Sequence, residues 1–69
     1  MRTAFCTING ERREVAADTT VARLLADMGL RGRKIAVEKN GAIVPKSRHD
    51  AETLADGDAL EIVGAVGGG

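Results

Sequence analysis

Four places in this chain of 69 residues combine residue types that could do chemistry. The first is the ending, Val66-Gly67-Gly68-Gly69, which follows the apolar alternating run Ala59-Leu60-Glu61-Ile62-Val63. Three glycines without Cβ atoms can thread a narrow channel and bring an unhindered main-chain carboxylate into a partner's active site. From Ala65 onward the segment reaches roughly 17 Å when extended, enough to enter a cleft while a folded body docks outside. The second is His49 beside Asp50; with no nucleophile next to it, this histidine reads as a surface residue rather than half of an acid-base pair. The third, Asp56-Gly57-Asp58, lacks the further ligands and terminal Glu of a calcium loop and reads as a turn. The fourth is Cys6, the single cysteine, which has no nearby His or acidic partner in sequence and falls at an alternate strand position. It reads as a small buried hydrophobe rather than a reactive thiol. Function is therefore expected on the Gly69 carboxylate.

Composition narrows the class of function. Ten Lys plus Arg balance ten Asp plus Glu, which argues against a general affinity for nucleic acid or an anionic membrane. Phe5 is the only aromatic residue, so no stacking platform for single-stranded bases exists. A chain this short forms one domain and buries about 60% of its unfolded surface, leaving little room for a deep catalytic pocket. A carrier or binding role with protein partners is expected, the chain being monomeric by itself and not an enzyme. Met1-Arg2 leads into no apolar stretch long enough for a signal peptide or membrane span, and a lone cysteine cannot form an internal disulfide. These point to the cytoplasm. No metal site or bound cofactor is expected, and Gly32 has no phosphate-loop spacing, so ATP should bind a partner rather than this chain. Arg31, Arg33, Lys34, Lys46 and Arg48 read as solvated loop charges.

The elements that must position the terminus can be read from local pattern. Thr3 to Ile8 suits a strand, and Asn9-Gly10 supplies a tight hairpin turn before a second strand over Arg12 to Ala16. Ala4, Cys6 and Ile8 then share one face, which sends Phe5 to the other. Asp18-Thr19-Thr20 offers capping oxygens to a helix whose apolar stripe is Val21, Leu24, Leu25 and Met28, and Gly29 is placed to end it. Ile35 to Lys39 reads as a third strand, turned by Asn40-Gly41 into the short Ala42-Ile43-Val44, which Pro45 stops. Lys46 to Glu52 reads as a loop or single helical turn. The last strand, Ala59 to Val63, puts Leu60 and Ile62 on one side and Ala59, Glu61 and Val63 on the other. This order suits an α+β domain over residues 1–64, a mixed sheet of four to five strands with one helix across it, and a flexible tail over residues 65–69.

Taken together, the helix opened by Thr19-Thr20-Val21 with Leu24-Leu25, the stretch Val37-Glu38-Lys39-Asn40-Gly41-Ala42-Ile43-Val44-Pro45, the turn Asp56-Gly57-Asp58 and the ending Glu61-Ile62-Val63 through Gly69 resemble the ThiS sulfur-carrier proteins of thiamine biosynthesis. The resemblance covers nearly the whole chain and implies the ubiquitin-like β-grasp fold. It implies that a ThiF-like adenylyltransferase uses ATP to convert the Gly69 carboxylate to an acyl-adenylate. Sulfur from a persulfide, formed in a cysteine desulfurase relay, then displaces AMP and leaves a thiocarboxylate, which thiazole synthase uses as its sulfur donor. By the same resemblance Gly69 carries the sulfur, and Gly68, Gly67 and Val66 enter the partner's active site. In β-grasp carriers the docking surface is the sheet face opposite the helix, near the tail, which makes Phe5 and Val63 the candidates here. The family has no catalytic side chain to carry over.

Gly64-Ala65 stands where many relatives carry larger, often aromatic residues, so the root of the tail is smaller in this chain. The same ending would also suit the small subunit of molybdopterin synthase, a carrier serving another metabolite, or a ubiquitin-like modifier joined to a lysine of a target protein. In a plain interaction domain the glycines would be only a flexible end.

Overall fold

The computed structural model describes residues 2–64. The chain runs through strands β1 (Thr3–Ile8) and β2 (Glu11–Ala16), helix α1 (Val21–Asp27), strands β3 (Ile35–Lys39) and β4 (Ala42–Ile43), a 3₁₀ turn at Lys46–Arg48, and strand β5 (Ala59–Gly64). Of the loop or single helical turn expected after Pro45, the structure has a turn of 3₁₀ type at Lys46–Arg48, and Val44 lies just outside β4.

The helix has its ends where the sequence put them. Thr20 has extended backbone angles and its hydroxyl accepts from the Arg23 N–H at 3.1 Å, satisfying one donor of the first turn. At the other end Gly29 adopts a φ of 74°, and two reversed bonds close the helix: Gly29 N–H to Ala26 O and Leu30 N–H to Leu25 O. This is a Schellman ending, which a residue with a Cβ would strain. Val21, Leu24 and Leu25 form its buried stripe.

The five strands make one sheet in the order β2-β1-β5-β3-β4. Both hairpins, β1 with β2 and β3 with β4, are antiparallel, whereas the last strand enters the middle, parallel to β1 and antiparallel to β3. On the covered face Ala4, Cys6, Ile8, Val15, Val37, Leu60 and Ile62 meet the helical stripe, with Val44 and Leu54 completing the core and Met28, Leu30 and Ile35 packed at its border. Their alternate positions along each strand follow from the period of two. The other face of the sheet is open. Among the described residues no helix is long and apolar enough to cross a membrane.

Candidate functional site

Gly69, Gly68, Gly67 and Val66 lie outside the described residues, so the site is built here from the surface out of which β5 leads toward them. β5 is held on both sides. Along β3 its pairs run through Val37↔Ile62 and Ala36↔Val63 to Ile35↔Gly64, and along β1 they are Thr7↔Ala59 and Ile8↔Leu60.

The three large apolar side chains exposed among the described residues are Phe5 (39%), Val63 (57%) and Ile43 (62%). All are on the open face, but the register separates them. Because Thr7 pairs with Ala59 in a parallel ladder, Phe5 is level with Gly57, whose N–H donates to the Phe5 carbonyl at 2.8 Å. Phe5 is therefore six residues down the sheet from Val63, a span of roughly 20 Å at the usual rise of a strand. The two expected docking residues thus share the open face, Val63 next to Gly64 and Phe5 at the far end. The Arg12 guanidinium carbon also sits 4.2 Å from the centre of the Phe5 ring, covering part of it by a cation–π contact.

Ile43 lies nearer than Phe5 to the level of Val63, on β4, with β3 between the two. It pairs with Glu38, which pairs in turn with Glu61, two residues before Val63. Ile43 did not stand out in the sequence because one apolar residue in a two-residue strand has no period to reveal its face. The Glu38↔Glu61 pair sets two carboxylates directly opposite each other, an arrangement that destabilises a sheet. Among the described residues neither has a cation within 4.0 Å. Toward Gly64 the open face thus carries Val63 beside Ala36, and one row back from them the Glu38–Glu61 pair with Ile43 next to Glu38.

The remaining polar residues serve the fold. His49 Nε2 lies 3.1 Å from the Val44 carbonyl, within reach to donate to it. Asp56 Oδ1 accepts from the Phe5 N–H at 2.8 Å. Asp58, 9% exposed, accepts from Asn40 Nδ2 at 2.9 Å and from the Ala55 N–H at 2.8 Å, with Lys39 Nζ 3.7 Å away. Both carboxylates of the Asp-Gly-Asp turn are therefore occupied by protein donors. Lys39 Nζ also lies 2.7 Å from Glu52 and donates to the Thr53 carbonyl at 3.2 Å, tying the end of β3 to the segment before β5. Its bond to Glu52 holds the ammonium pKa above the usual lysine value. Cys6 is 1% exposed, as expected of a small buried hydrophobe; burial pushes its thiol up, and the charges of Asp58 and Asp56 push in the same direction.

A mixed sheet wrapped over one helix, with the final strand inserted centrally and parallel to the first, is the β-grasp arrangement of ubiquitin-like carriers. The sequence model of the ThiS family matches residues 6–69, and the chain belongs to that family. It is 40% identical over 63 residues to the sulfur carrier protein ThiS of Bacillus subtilis, covering 90% of this chain and 96% of that one. A crystal structure of the thiamine biosynthesis protein ThiS from Geobacter metallireducens superposes with a TM-score of 0.81 at 34% identity, covering 94% of this chain and 99% of the other. A thiazole synthase of Paramagnetospirillum magneticum is 52% identical over 62 residues, and another of Magnetococcus marinus is 39% identical over the same length. This chain spans only 19% of the length of each of those two proteins.

Proposed function

We propose that this chain is a sulfur carrier of thiamine biosynthesis, a co-substrate of other enzymes with Gly69 as the loaded residue. A ThiF-like adenylyltransferase binds the open end of the sheet and draws Val66, Gly67, Gly68 and Gly69 into its active site. The Gly69 carboxylate attacks the α-phosphorus of ATP, expelling pyrophosphate and forming the acyl-adenylate. A persulfide from a cysteine desulfurase relay attacks the acyl carbon and displaces AMP. A thiol then attacks the donor's sulfur in the acyl disulfide, forms a disulfide with it and releases the thiocarboxylate. Thiazole synthase takes the sulfur from there. ATP acts only in the partner, and the chain itself needs no bound cofactor or metal.

Membership of the ThiS family supports the chemistry, and one structural observation supports the route. The strand that leads to the glycines is the central one, and near its end the open face carries exposed Val63 and the Glu38–Glu61 pair, which has no cation partner among the described residues. A partner surface bringing apolar groups to Val63 and Ile43 and a cation to Glu38 and Glu61 would relieve the repulsion on docking. Charged docking of this kind gives fast encounter and easy release, which a carrier serving successive enzymes needs.

Intact-mass spectrometry tests the reading after incubation of the chain with its cell's adenylating enzyme, ATP and a persulfide source. An oxygen-to-sulfur exchange located at Gly69 by fragmentation is the expected result. An unmodified terminus with active enzymes would sink it, and a mass increase equal to another protein less water would select the modifier reading instead.

A further inference from the structure

Both Asn-Gly turns place their asparagine at positive φ, 53° for Asn9 and 54° for Asn40, and in both the side chain bonds to β5. The reason lies in what positive φ does to a strand end. It rotates the residue's own carbonyl away from the ladder that its N–H still joins. Asn40 donates its N–H to the Ala59 carbonyl at 2.8 Å, and its Oδ1 accepts from the Ala59 N–H at 2.9 Å, taking the place its backbone carbonyl would have filled in an antiparallel pair. Asn9 does the same in the parallel ladder. Thr7 N–H donates to Asp58 O at 3.0 Å and Asn9 N–H to Leu60 O at 2.9 Å, the regular alternation of a parallel pair. The next rung is made by the side chain: Asn9 Oδ1 accepts from the Ile62 N–H at 2.7 Å, and Nδ2 donates to the Ile62 carbonyl at 3.2 Å. A primary amide presents one acceptor and two donors in the geometry of a peptide group, so it prolongs β1 by one unit after the chain has turned away.

The two clamps act at opposite ends of β5. Asn40 grips Ala59, at its start, while Asn9 grips Ile62, two residues before Gly64. On the β3 side the pairing continues to Gly64, but on the β1 side it stops at Leu60. Among the described residues, the Asn9 amide is what holds that edge of β5 beyond Leu60. Resting on the carrier reading above, we infer that Asn9 is a positioning residue for the reaction at Gly69: by pinning Ile62 from the β1 side it fixes the line along which the chain leaves the sheet and enters a partner's active site.

Because Asn40 makes a matched clamp away from that end, it supplies the control. Asn9→Gly and Asn40→Gly both keep a residue that tolerates positive φ and both remove the amide. The test measures AMP formation by the adenylating enzyme against carrier concentration for wild type and both variants, at a temperature where each is folded. Asn9→Gly should lower kcat by about tenfold with KM changed less than about twofold, since a misplacement of ~1 Å at a reacting group costs up to about a hundredfold. Asn40→Gly, though destabilised, should leave both parameters near wild type. Amide hydrogen exchange gives a reading independent of the enzyme: Asn9→Gly should expose Ile62 selectively, and Asn40→Gly should expose Ala59. Equal kcat in the two variants, or an Ile62 amide as protected in Asn9→Gly as in wild type, overturns the positioning role while leaving the carrier reading intact. A wild-type chain that the enzyme does not adenylate overturns both.

Discussion

Replacing Asp58 with Asn changes a single oxygen to a nitrogen, and the structure gives a defined cost. Asp58 receives two donors on two oxygens, Asn40 Nδ2 at 2.9 Å and the Ala55 N–H at 2.8 Å, at a position 9% exposed. An amide has only one acceptor oxygen, so in Asp58→Asn the NH₂ must face one of these donors. Turning Asn40 over does not help, because its Oδ1 already accepts from the Ala59 N–H. One bond to a charged acceptor is therefore lost, at a cost of about 1.5–3 kcal/mol. In a domain of this size each kcal/mol lowers Tm by about 4–8 °C, so a fall of about 6–24 °C is expected at pH 7. Acid provides a second test. Burial pushes the Asp58 carboxyl up, but the bonds from Ala55 and Asn40 and the charge of Lys39 outweigh it, and its pKa in the fold is held below the ordinary aspartate value. The stabilisation it gives is therefore complete above the unfolded value and is lost as pH falls through the folded one. Wild type and variant should converge in acid; Glu52, held low by its bond to Lys39, gives both curves an acid limb in the same direction. Thermal unfolding by circular dichroism across this pH range measures both effects. A variant within about 0.5 kcal/mol of wild type at pH 7, or a gap that does not narrow in acid, would refute the reasoning.

Ile43→Ser and Val63→Ser should each weaken binding to the adenylating enzyme about tenfold or more by calorimetry, since burying one such side chain contributes about 1.5–3 kcal/mol. Phe5→Ala, at the far end of the face, should have the smaller effect, and a loss equal to that of Val63→Ser would place the interface along the whole sheet. Glu61→Lys should raise Tm by removing the repulsion with Glu38 and yet reduce partner affinity most at low salt; unchanged affinity would dismiss a basic partner surface. Cys6 should resist an aromatic disulfide reagent at neutral pH until denaturant is added, and rapid labelling of the folded chain would show that the core opens there. Deleting Gly68 and Gly69 should abolish sulfur loading while leaving Tm unchanged, whereas a retained thiocarboxylate would move the site off Gly69.

Local pattern determined the elements of this chain: the period of two in Ala4, Cys6 and Ile8, the stripe Val21-Leu24-Leu25 with Thr20 before it and Gly29 after it, and two Asn-Gly turns. Each depends on neighbours a few residues apart, so each is legible without the fold, and the family resemblance added the β-grasp topology and the interest of Gly69. Alternation also told that Phe5 and Val63 face away from the core, and both are exposed there, whereas the two-residue β4 left the exposed Ile43 unassigned. Alternation could not tell how far apart Phe5 and Val63 lie. That distance depends on register between segments about 50 residues apart in sequence, Thr7 against Ala59, which the shared core and the backbone ladder set together. The second duties of Asn9, Asn40 and Asp58 were hidden for the same reason: as turn residues they satisfy local rules completely, and their bonds to β5 and its approach arise only once the last strand is inserted between the two hairpins.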